Sequence, residues 1–262
     1  MFWKYLVILF PAGILAGIAS TVAGLASLVS YPALLLAGLP PVSANVTNTA
    51  SLIFTAVGSG MASKRELRGH GRDLLKLLPP MIGGSLCGGL LLLVAPASSF
   101  THVVPFFIFS AALLILWPEL PHPSFPGHPR KIPAGDKTGR RKSGILAAMV
   151  WLAIFLVGAY TGYFGAAGGV VMLAILAATS RLKFAEYNAL KNMSMGASNL
   201  VATVLFAFRG HIYWLAVPPL AVGFFFGGLI GPHIVRHISA RLLSIGIAIC
   251  AMGLAVFLFI RA

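Results

Sequence analysis

From Leu86 to Leu116 the chain carries no Asp, Glu, Lys or Arg, and the same holds from Leu242 to Ile260. Runs like these approach or exceed the roughly 20 residues that a helix needs to cross the hydrocarbon core of a bilayer. Backbone polar groups find no water there, so only helices and closed barrels can span it. The runs lack the period-two alternation of barrel strands. The chain is therefore read as an all-α polytopic membrane protein. Composition agrees, with 58% hydrophobic residues, 9% charged residues and a mean hydropathy of +0.94, far from a soluble domain. Residues 1–15 resemble a secretion signal because Lys4 precedes an apolar run, but no small-residue cleavage site ends that run before Gly17. It is read as the first membrane segment.

A net charge of +14 would suit a nucleic-acid partner if it sat in a soluble basic domain. Instead it sits in short stretches between apolar runs, at 62–77, 118–143, 181–191 and 236–241, the pattern left by retention of Lys and Arg on the cytoplasmic side. No nucleic acid is expected as a partner, and the lipid bilayer is. Cys87 and Cys250 lie inside apolar runs without metal-ligand spacing and are expected to be buried and inert. His102, His233 and His237 fall at segment ends with no Cys or carboxylate at ligand spacing, so neither a metal nor any other cofactor is expected.

The two halves of the chain repeat. Gly13, Gly17 and Gly24 match Gly158, Gly162 and Gly169 at one constant spacing, Asn48 matches Asn192, and "RGH" at Arg68–His70 matches "RGH" at Arg209–His211. "PPMIGGSLCGG" likewise matches "PPLAVGFFFGG". This divides the chain into a first repeat at 1–117, a basic Pro- and Gly-rich cytoplasmic linker at 118–143 and a second repeat at 144–262. Hydropathy gives five segments in each half, at 5–22, 25–38, 45–62, 77–95 and 102–117, then 144–163, 168–180, 193–208, 213–234 and 241–260. An odd number of crossings turns the second half upside down, making two inverted-topology repeats. That arrangement leaves only Lys4, Arg209 and Arg261 outside; an alternative with four crossings per half, the short second segment re-entrant, leaves more.

The stretch "TGYFGAAGG" at Thr161–Gly169 interrupts the first apolar run of the second half, and "AGIASTVAG" at Ala16–Gly24 holds the equivalent place in the first. Each is followed by a segment too short to cross a bilayer upright, the mark of a broken or short helix near the start of each repeat. Unwound backbone at membrane depth survives only inside protein or beside a polar cavity. Helices starting near Gly24 and Gly168 would aim open N–H groups and a positive dipole end into such a cavity, which favours an anion. Gly84, Gly88, Gly223 and Gly227 are instead read as packing glycines. All five acidic residues, Glu66, Asp73, Glu119, Asp136 and Glu186, fall in loops, so no carboxylate serves a cation path. Small uncharged polar residues occupy membrane segments, and those expected to bind substrate are Gly24, Asn45, Asn48, Thr49, Gly168, Gly169, Asn192 and Ser194. Lys191 joins them as a counter-charge at the pocket mouth, although a lysine snorkelling to the interface is the reading its position favours.

With these residues in view, the chain resembles the sulfite exporter TauE/SafE family, also called the 4-toluenesulfonate uptake permease family. The likeness rests on "GLASLVSYPALLLAGLPP", "SANVTNTASL", the basic loop and the "PPxxxGxxxGG" helix, in order and in duplicate. At the first break "STVAG" stands where the family has a denser glycine run. The resemblance implies a carrier of sulfite, sulfonates or other sulfur-containing or organic anions in the cytoplasmic (inner) membrane. It implies a secondary transporter working by alternating access, with a small anionic substrate as partner; assembly as a homodimer is left open. The competing classes are an intramembrane enzyme, for which neither half holds a Gly-x-Ser-Gly nucleophile or a membrane carboxylate, and a structural subunit, which has no need of paired helix breaks.

Overall fold

The computed structural model describes residues 2–96, Phe100, 137–165, 168–180, 182–209 and 211–237. Among them the regular elements are helices: α1 (Phe2–Ala23), α2 (Ala26–Leu36), α3 (Pro41–Ala62), the short α4 (Lys64–Leu67), α5 (Gly71–Val94), α6 (Lys137–Tyr163), α7 (Gly168–Thr179), α8 (Phe184–Arg209) and α9 (Val217–His237). Three stretches within them are long and apolar enough to cross a bilayer, Tyr5–Ala23, Gly71–Val94 and Val217–Arg236. The expected segments at 102–117 and 241–260 lie outside the described residues, as does Cys250.

Several helices start earlier than hydropathy suggests. α8 begins at Phe184 rather than near 193, α5 at Gly71 rather than 77, and α3 at Pro41 rather than 45. In α3 a proline occupies the first helical position, where its missing N–H costs nothing, and Pro40 precedes it in extended conformation. In α5 and α8 the first turn carries an acid, Asp73 or Glu186, suited to the positive end of the helix dipole. Helices thus continue through polar turns that a hydropathy window discards. Cys87 corrects a second expectation: it is exposed on the outer face of α5 beside exposed Leu86 and Leu90.

Glycine decides the packing. α1 lies against α9, and a Cβ added at Gly17 would stand 2.8 Å from the Phe224 carbonyl oxygen and 2.9 Å from the Gly227 Cα. At Gly13 it would stand 2.6 Å from the Leu220 oxygen and 3.0 Å from the Gly223 Cα. α6 lies against α5 by the corresponding device, with Gly158 on the backbone of Met81, Gly162 on that of Ser85, Gly84 on that of Phe155 and Ala159, and Gly88 on that of Ala159 and Tyr163. Such helices touch backbone to backbone, the close approach that small residues permit where lipid gives no hydrophobic drive. α3 and α8 cross between these pairs, with Gly196 on Ala56 and Gly60 on Met193. α3 also packs on α9 through Gly58 and Gly228, and α8 on α5, where the Ser85 hydroxyl donates to the Ser198 carbonyl at 2.9 Å. Outward faces carry large apolar side chains such as Val7, Leu15, Leu91, Trp151, Leu156 and Val204, as a lipid-facing surface requires.

Candidate functional site

Both first helices stop inside the protein. α1 ends at Gly24, whose φ of +78° suits only glycine without strain, and whose N–H donates to the Ser20 carbonyl at 2.8 Å. α6 ends at Gly165, φ +72°, whose N–H donates to the Tyr160 carbonyl at 2.9 Å. The short helices α2 and α7 start just beyond, at Ala26 and Gly168, and have 11 and 12 residues. At about 1.5 Å per residue each extends less than 20 Å, short of the roughly 30 Å core. The two breaks meet. A Cβ on Gly169 would lie 2.5 Å from the Gly24 Cα, and one on Gly24 would run into the Gly169 backbone.

A helix end inside a protein leaves its last carbonyls without intrahelical partners, and here α8 supplies them. Asn188 donates from Nδ2 to the Thr21 carbonyl at 2.8 Å, Asn192 donates to the same oxygen at 3.4 Å, and the Lys191 Nζ donates to the Ser20 carbonyl at 2.8 Å. At the end of α6, Asn45 of α3 does the same for the Tyr163 carbonyl at 2.8 Å. Lys191 does not snorkel. It is 1% exposed, and it places its amine at the carbonyl end of α1, where the helix dipole favours a positive charge. No carboxylate pairs with it among the described residues. Glu66 accepts from Arg236, Asp73 lies beside His70 and Lys76, and Glu186 accepts from the Lys183 backbone N–H.

Between the breaks, α3 and α8 lies a cavity of about 30 Å³, room for roughly two waters at 10–15 Å³ each. Of the expected residues, Gly24, Thr49 and Asn192 line it. Asn48 stands behind the wall, donating to the hydroxyl of Ser27, which does line it, at 3.1 Å. Asn45, Gly168, Gly169 and Lys191 act around the helix ends rather than on the cavity, and Ser194 turns its hydroxyl back to the Lys191 carbonyl at 3.0 Å. The wall also includes Ser20, Thr55 and Thr161, which hydropathy and repeat matching do not single out. Asn188 is equally hidden in the sequence; its one signal is the polar step Asn188, Lys191, Asn192, which recurs on one face of α8 at helical spacing.

Comparison with known proteins places this architecture. The family model for "Sulfite exporter TauE/SafE" matches residues 9–258. A "Probable membrane transporter protein" of Haemophilus influenzae is 27% identical over 231 residues, covering 88% of this chain and 85% of its own. "Probable membrane transporter protein ORF9" of a Sinorhizobium species is 27% identical over 265 residues, covering 96% and 91%. "Probable membrane transporter protein YfcA" of Escherichia coli K12 is 25% identical over 242 residues, covering 90% and 82%. No solved structure matches. Broken helices that meet around a buried polar cavity, together with a family match along nearly the whole length, lead to one assignment: the chain belongs to the sulfite exporter TauE/SafE family of membrane transporters.

Proposed function

We propose that the protein is a secondary transporter that moves small anions, such as sulfite, organosulfonates or related sulfur-containing or organic anions, across the cytoplasmic membrane by alternating access. One observation carries this reading: Lys191, buried and without an acidic partner among the described residues, holds the carbonyl of Ser20, a residue of the cavity wall. A lysine that stays charged when taken out of water needs a compensating charge. The carbonyl end of α1 supplies only a partial one, equivalent to about half a charge. Ser20, whose carbonyl Lys191 holds, and Asn192, the next residue, both line the cavity, so an anion there completes the balance.

The alternating-access part of the proposal needs two halves that can exchange roles, and the inverted repeat supplies them. Support for that symmetry comes from contacts matched pair by pair. Gly84 meets the Phe155 oxygen and Ala159 nitrogen, while its match Gly223 meets the Phe10 oxygen and Ile14 nitrogen. Gly88 meets the Ala159 oxygen and Tyr163 nitrogen, and Gly227 meets the Ile14 oxygen and Ile18 nitrogen. Gly24 and Gly169, matched to each other in sequence, touch each other in space, as residues on a twofold axis do. The cavity is too small for an organosulfonate with a ring, so binding of larger cargo requires the halves to part. Purified protein in liposomes is expected to take up labelled sulfite or a small sulfonate, and Lys191→Met is expected not to. Absence of flux for a panel of inorganic and organic anions would refute the proposal.

A further inference from the structure

Several buried hydroxyls among the described residues are settled within their own helices. Thr21, Ser30, Thr49 and Ser51 each donate to a carbonyl one turn back in their own helix, at 2.9 to 3.0 Å, the usual settlement for Ser and Thr inside a helix. Thr55 in α3 and Thr161 in α6 do not. Both are buried, 4% and 5% exposed, both line the cavity, and the Oγ1 of each is without a hydrogen-bond partner. A buried hydroxyl left open is unfavourable unless something else comes to it. Across the cavity, the first turn of α2 contributes Ala26 and Ser27, and its N-cap residue Leu25 offers no side-chain cap to the N–H groups that a helix start leaves free. Donors therefore converge from three helices, with a positive dipole end among them.

We propose that Thr55, Thr161 and the first turn of α2 form an oxyanion site, in which both hydroxyls and the open N–H groups donate to the oxygens of a small sulfonate-type anion. The inference rests on the anion-transport reading and moves its centre away from the asparagines, whose amides already hold Thr21, Tyr163 and Ser27. The apolar part of the lining, set apart from Thr49, Asn192 and Asn199 elsewhere on the wall, bears on selection within that class. Leu52, Phe164 and Met195 are apolar and offer no donor. They suit an ion with oxygens on one side and an apolar substituent on the other, because an oxygen turned toward them would lose its water without gaining a partner. At about 30 Å³ the cavity as it stands holds about two waters, so even the smallest sulfonate enters it only as the halves part.

The test is equilibrium binding of labelled methanesulfonate to the purified full chain in detergent, with the unfolding temperature measured in parallel. Thr55→Val and Thr161→Val keep the side-chain shape and remove only the hydroxyl. Each is expected to weaken binding about ten- to hundredfold, the scale of one hydrogen bond to a charged group, while unfolding at the same or a higher temperature. Thr55→Ser is expected to restore binding to within a few-fold. Thr203→Val, which removes another unpartnered hydroxyl outside the cavity wall, is expected to bind as the wild type does. Valine variants that bind methanesulfonate like the wild type would overturn the site, as would variants whose lost binding follows a lowered unfolding temperature. Wild-type protein that binds neither methanesulfonate, sulfite nor sulfate would overturn the anion reading itself, and this site with it.

Discussion

Gly169→Ala adds one methyl group where the two helix breaks touch. The new Cβ would sit 2.5 Å from the Gly24 Cα, 3.0 Å from its carbonyl oxygen and 3.2 Å from its carbonyl carbon. Ordinary contact begins near 3.4 Å, so the breaks must part by roughly an ångström. Gly24 has little freedom to yield, because its positive φ closes α1 and its N–H is tied to Ser20. Overpacking of this kind costs about 1–3 kcal/mol, and the better helix propensity of alanine returns about 1 kcal/mol. The net loss of stability is about 0–2 kcal/mol, and the folded protein should survive. An ångström is nevertheless about twice the tolerance of a preorganised site, so uptake per folded molecule should fall at least tenfold. Two comparisons separate geometry from stability. Gly13→Ala strains the α1–α9 contact to a similar degree, 2.6 Å from the Leu220 oxygen but outside the cavity wall, and should lose stability while keeping most uptake per folded molecule. Gly83→Ala meets only the Phe155 ring, at 3.6 Å, and should be neutral or slightly stabilising. The assay is uptake into liposomes, normalised to protein that elutes as a single species and unfolds cooperatively. If Gly169→Ala transports like Gly13→Ala, the meeting of the two breaks is only packing and the reasoning fails.

Lys191→Met removes a buried cation without changing the length of the side chain much; it should unfold no lower than the wild type in a thermal melt, while anion binding is lost. A large drop in unfolding temperature would make the lysine a structural strut instead. Asn188→Ala leaves the Thr21 carbonyl with only the 3.4 Å contact from Asn192, which should cost about 1–2 kcal/mol and appear as a lowered unfolding temperature with uptake partly retained. For the inverted halves, single cysteines at Gly71 and His211, in a background lacking Cys87 and Cys250, should be labelled from opposite sides of the membrane; same-side labelling excludes inversion. Gly71 suits this test because nothing lies within 4 Å of an added Cβ, whereas Gly69 has a positive φ that a cysteine would strain.

Much of the helix packing is legible in the sequence because glycine is its chemical cause. Where backbones touch, no other residue fits, so Gly13, Gly17, Gly84, Gly88, Gly158, Gly162, Gly223 and Gly227 mark their own contacts. The helix breaks are legible for the same reason, through Gly24 and Gly165 at the turns. The start of α8 is not, because "KFAEYN" reads as a polar stretch, while the side chain of its Asn188 and that of Lys191, one turn further on, reach carbonyls of α1, contributed by residues more than 160 positions earlier. Lys191 misleads by the same route. Charge near an apolar run implies snorkelling unless one knows that a helix end lies within reach, and that end exists only in the folded protein. Cys87 shows the converse: in a protein solvated by lipid, an apolar run does not say which of its residues face inward. Thr55 and Thr161 look in the sequence like any other helical threonines, and only their missing intrahelical bonds distinguish them.

A carrier with one central anion site exposed to each side in turn must exchange its cargo. Liposomes containing the purified protein should therefore be loaded with unlabelled methanesulfonate, diluted into trace labelled methanesulfonate, and followed over time. Alternating access requires a transient accumulation of label above its equilibrium level in loaded liposomes, absent from empty ones and from Lys191→Met. Label that enters loaded and empty liposomes alike, without overshoot, would mean an open path or no path at all, and would contradict a small-anion carrier built from two exchanging halves.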